Sequence, residues 1–77
     1  MDIETARNEF EAGQLTEAVV EPLAKRNGWV VMVRRRSGEL IAITTHGGLD
    51  KVYHDLDHAT GVARDIGFHR VRVEEAF

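Results

Sequence analysis

Residues 29–45, "WVVMVRRRSGELIAITT", set two runs rich in β-branched residues on either side of Ser37 and Gly38. Side chains of this type suit extended strands, and Ser-Gly between two such runs is a hairpin signal. With Ser37 and Gly38 as a two-residue loop, Arg36 faces Glu39, Arg34 faces Ile41, Met32 faces Ile43 and Val30 faces Thr45 on one side of the ribbon. The other side carries Arg35, Leu40, Val33, Ala42, Val31, Thr44, Trp29 and His46. Both sides are substantially apolar, whereas an antiparallel sheet wetted on one face alternates cleanly. A second cover is therefore required, and two are available: an N-terminal helix or a second subunit.

The chain has 77 residues and no cysteine. It is near the lower limit for one hydrophobic core without a staple, so it is a single domain over residues 1–77 that must stabilise itself by packing or self-association. The lack of disulfides and thiolate sites fits a reducing compartment. Six acids against one base in the first 21 residues exclude a cationic leader. Apolar runs are far shorter than a bilayer span, so the expectation is a cytoplasmic protein with no membrane partner.

Around the hairpin the pattern is mixed. Ile3, Ala6 and Phe10 form an apolar stripe, with Asp2 at its start and Gly13 after its end, predicting a short helix. The stretch "QLTEAVVEPLA" is ambiguous between helix and strand; if it is a strand, Pro22 places it at a sheet edge, and Asn27-Gly28 turns it into the next strand. "THGGLD" reads as a turn and "KVYH" as a short strand. Leu56, Ala59, Ala63 and Ile66 define a helix capped by Asp55 and stopped by Gly67. "FHRVRVEE" alternates as a last strand. The expected fold is α+β: an N-terminal helix, a three-to-four-stranded antiparallel β-meander, a C-terminal helix and a final strand, in the order α-β-β-β-(β)-α-β.

Charge is the feature closest to function. The formal net charge is −3, yet no acid occurs from residue 22 to 38, where Lys25, Arg26, Arg34, Arg35 and Arg36 lie. These five are the candidate nucleic-acid contacts, in the manner of β-ribbon readers that grip phosphates. The alternative is a solvated hairpin tip with an Arg36 to Glu39 cross-strand pair. Alternation sends Arg34 and Arg36 to one face and Arg35 to the other, which splits the patch. Trp29, the sole tryptophan, is a stacking platform for an unpaired base or, as is commoner in so small a domain, is buried in the core or, with Val31 and Val33, in a protein interface.

Catalytic chemistry has little support. His54 and His58 have the spacing of a helical metal pair, but the Asp55 cap falls between them and removes that geometry. "HGGL" lacks the lysine and helix of a phosphate loop, and no elbow or oxyanion motif frames Ser37, Thr44 or Thr45. No catalytic residue, metal or cofactor is expected.

The segment "GWVVMV…GELIAITTHGG…KVYHDLDHATGVARDIGFHRVRV" resembles small plasmid partition-associated and stability proteins of the ParC-like kind over about residues 27–74. That resemblance implies a non-enzymatic accessory protein of plasmid partition or maintenance. The strand-to-helix order is also similar to AP2-type and integrase-arm DNA-binding domains. It is similar to double-stranded-RNA-binding domains too, except that Asp55 and Asp57 replace the basic start of their second helix. The leading expectation is protein–protein association, including a homodimer and another protein of a partition or maintenance system. Direct DNA binding through Arg34–Arg36 is the alternative.

Overall fold

The computed structural model describes residues 1–74. Along the chain run α1 (Ile3–Glu11), β1 (Leu15–Pro22), β2 (Trp29–Arg35), β3 (Leu40–Ala42), α2 (Leu56–Ile66) and β4 (Arg72–Val73). The fold is α+β. Asp2 caps α1 by accepting from the Thr5 N–H, and Asp55 caps α2 by accepting from the Asp57 N–H, each at 2.8 Å. Gly67 ends α2, as the sequence predicts.

The sheet has the order β3-β2-β1-β4. β1, β2 and β3 form an antiparallel meander, while β4 returns after α2 and lies parallel to β1, so the sheet is mixed. "KVYH" contributes one bridge, Tyr53 to Trp29, and is not a full strand. Glu75, assigned to the last strand from its sequence, lies outside the described residues.

The ambiguous stretch is a strand, and an interior one. Among the described residues β4 pairs β1 at Val19 and Val20, short of Pro22, so that pairing does not call on the donor that Pro22 lacks. Asn27-Gly28 does not form a tight turn either; Pro22 pairs with Trp29, and the segment between them is closed by a bond from Leu23 N–H to Gly28 O. A β-bulge between Leu15 and Glu17 resets the alternation, so Leu15, Ala18 and Val20 all reach the core while Glu17 and Val19 take the other face.

The β2–β3 hairpin differs from expectation by one residue. Arg35 and Glu39 close a three-residue loop of Arg36, Ser37 and Gly38, with Gly38 at φ 97°. This is the turn-plus-left-handed-residue arrangement in which glycine supplies the positive φ. Arg34 therefore pairs with Leu40, Val33 with Ile41 and Met32 with Ala42. A one-residue slip exchanges the faces of a strand. Ile41 and Ile43 join Val31 and Val33 in the core, and Leu40 and Ala42 turn outward.

Both helices pack on the same sheet face. One core unites Ala6 of α1, Ala59, Val62, Ala63 and Ile66 of α2, and Ala18, Val20, Val31, Val33 and Ile43 of the sheet region. Leu56, Val71 and Val73 pack against its margin. α1 is thus not the cover of the second face. The shortest dimension, 21 Å, accommodates one helix layer on one sheet.

Candidate interaction surfaces

The uncovered face is built by residues that alternate away from the helices: Glu17, Val19 and Glu21 on β1, Val30, Met32 and Arg34 on β2, Leu40 and Ala42 on β3, and Arg72 on β4. Val30, Met32, Leu40 and Ala42 are half-buried, and Val19, in register between Met32 and Arg72, is fully buried. An apolar strip therefore crosses the sheet, and charges lie beside it. Arg34 Nε meets Glu17 Oε2 at 3.0 Å, Arg72 Nη1 meets Glu17 Oε1 at 3.3 Å, and Arg72 Nε meets Glu74 Oε1 at 3.2 Å. These charges neutralise one another.

The hairpin arginines are held by the acidic N-terminal segment. Arg34 is bound by Glu17 and donates to Gly38 O; Arg35 donates from Nε and Nη2 to the two carboxylate oxygens of Glu9, each at 3.1 Å, and also meets Glu39 at 3.3 Å. Hydrogen bonding to Glu9 raises the Arg35 pKa above its ordinary value. Arg36 donates to Gly13 O, and its backbone N–H to Gln14 O. The cross-strand ion pair of the hairpin is thus Arg35 with Glu39, displaced from the expected Arg36 by the three-residue loop. Glu17 and Glu9 of the acidic first segment are thus met by Arg34 and Arg35 within the fold.

Val31 and Val33, expected at an interface, are fully buried beneath the helices, so no partner can reach them in the folded chain. Val30 and Met32 occupy the outward positions of the same strand. Trp29 is half-buried at the margin of the core, its backbone bonded both ways to Tyr53 at 2.7 and 2.8 Å.

At this end of the sheet, opposite the hairpin tip, lie two clefts. One, of about 350 Å³, is lined by Arg26, Asn27, Gly28, Trp29 and His54 together with Pro22 and Leu23. The other, of about 360 Å³, is lined by Lys51, Tyr53, His54, Asp55 and His58 together with Val52. His58 sits edge-on to Tyr53 with ring centroids 5.0 Å apart. The Tyr53 hydroxyl is buried with no hydrogen-bond partner among the described residues, and burial raises its pKa. Among the described residues no group of three or more His, Asp or Glu side chains is placed to hold a metal ion, and no helix is long and apolar enough to cross a membrane.

Comparison with family models, curated proteins and solved structures returned no match.

Proposed function

We propose that the chain is a non-enzymatic binding module acting through protein–protein association, and that a second copy of itself is the partner of its open sheet face. The observation carrying this reading is the strip of Val30, Met32, Leu40 and Ala42 on a sheet whose helices all lie on the opposite side. Exposed apolar strips with a polar rim mark association surfaces. Arg34, Arg72, Glu17 and Glu74 on the rim are paired within the chain, which leaves Glu21 as the rim charge that two facing copies must keep apart. A two-fold axis through the strip would make the contact self-complementary.

Edge pairing is the weaker route to a dimer. β4 is two residues long, and part of the outer edge of β3 is occupied by Met1, which donates to Ala42 O at 3.2 Å and accepts from Thr44 N–H at 2.7 Å. An accessory role in plasmid partition or maintenance rests on the resemblance over residues 27–74 and is compatible with such an adaptor. Duplex DNA binding through Arg34–Arg36 has less support, because all three side chains already donate to groups within the chain.

Sedimentation velocity from micromolar to hundred-micromolar concentration tests the reading. The expected result is a concentration-dependent dimer that Met32→Glu converts to a folded monomer. A natural chain that stays monomeric throughout, or a dimer that Met32→Glu leaves intact, would overturn it.

A further inference from the structure

We infer that the cleft between the β1–β2 connection and the 51–54 segment is a binding site for a nucleotide unit, an aromatic base with its phosphate. The argument begins with charge. Every arginine of the hairpin is engaged by a carboxylate or a carbonyl, whereas Arg26 and Lys51 make no ion pair among the described residues. Arg26 lines one cleft and Lys51 the other, with His54 shared between them. Asp55 is the one acid on these walls, and it is committed to the cap of α2. The local balance therefore favours an anion.

The remaining lining specifies what the anion is attached to. Trp29, half-buried at the core margin, lines this cleft, and an indole is a surface on which a base of any sequence can stack. Asn27 beside it carries both an amide donor and an acceptor, the complement of a base edge. Arg26, in the same cleft, supplies the planar fork suited to phosphate. Apolar residues alone would fit a lipid or a peptide side chain; a cation, an amide and an indole in one cleft fit a nucleotide.

The Trp29 wall of the site is also fixed before any ligand arrives. Two backbone bonds tie Trp29 to Tyr53, and Gly28, at φ 147°, lets the 51–54 segment close against the loop: a Cβ there would stand 2.6 Å from Val52 Cγ1. A wall held this way loses little freedom on binding. Each cleft falls within the size range of small-ligand sites. The same chemistry comes from a free mononucleotide or from an unpaired nucleotide in a strand.

Trp29 is the only tryptophan, so its emission reports on this cleft directly. The full chain is titrated with adenosine monophosphate and, separately, with a short single-stranded oligothymidine. Saturable quenching by at least one probe is expected, with affinity falling about tenfold in Arg26→Ala, the loss of one charge-assisted contact. Arg36→Ala, at the far end of the sheet, should bind as the natural chain does. Quenching by the mononucleotide as strongly as by the strand identifies a free nucleotide as the ligand, and quenching by the strand alone identifies single-strand recognition; both support the site. Absence of saturable quenching with either probe, or undiminished binding in Arg26→Ala, would overturn it. Since Met32→Glu alters the open face and not this cleft, the dimer and the nucleotide site fail independently.

Discussion

Tyr53 shows how a single side chain can work against the fold that holds it. The residue is 6 % exposed and fills space beside α2, yet its hydroxyl has no partner among the described residues. An unsatisfied buried polar group costs about 1–3 kcal/mol, so Tyr53→Phe should raise stability by about 1 kcal/mol in denaturant titration, once the remaining loss of packing is allowed for. The pH dependence has a definite sign. Because burial raises the pKa of the folded tyrosine, its contribution is fully present below the unfolded value of about 10 and is lost as pH rises through the folded value. The Tyr53→Phe chain should therefore show a shallower alkaline decline than the natural one. A variant less stable at pH 7 would mean that the hydroxyl finds an acceptor.

At the level of the element, α2 carries the largest share of the helix layer. Ile66 is 3 % exposed and closes its last turn against the sheet, so Ile66→Ala should cost about 2–4 kcal/mol, read as a fall in the denaturant midpoint at unchanged slope. Leu56, at the first turn, is only partly buried and should cost less. This helix was legible in the sequence because cap, stripe and stop agree. Gly67 was legible only as a stop; the Phe10 ring against it, which leaves no room for a Cβ, depends on α1 lying across the end of α2. The hairpin register was not legible, since Ser37-Gly38 fits a two-residue loop as well as the end of a three-residue one. That single residue decided which isoleucines are core and which strand positions face outward. It also explains why Val31 and Val33 were expected on the outward face of the strand, where Val30 and Met32 lie. The arginines were visible as a cluster, but their partners Glu9 and Glu17 are remote in sequence, and only the packing of α1 and β1 brings them together.

For the whole molecule, the two-layer architecture sets the expected behaviour of the proposed dimer. Association through an apolar strip flanked by the Arg34–Glu17, Arg72–Glu17 and Arg72–Glu74 pairs should depend weakly on ionic strength, in contrast to phosphate binding, which weakens steeply with salt. Raising salt from low to roughly physiological levels should shift the dimer dissociation constant less than about threefold in sedimentation equilibrium. A much larger shift would place ion pairs across the interface. The arrangement of β4 has a different consequence, for the order in which the chain can fold. β1 emerges early in synthesis but receives its second neighbour only when Arg72 and Val73 are available, after β2, β3 and α2. Until then Val19 and Val20 sit on a bare strand edge, and the meander is open to mispairing with other nascent chains. The last few residues of the sheet thus act as a latch, and the period before it closes is when a cell making this protein has most need of a chaperone.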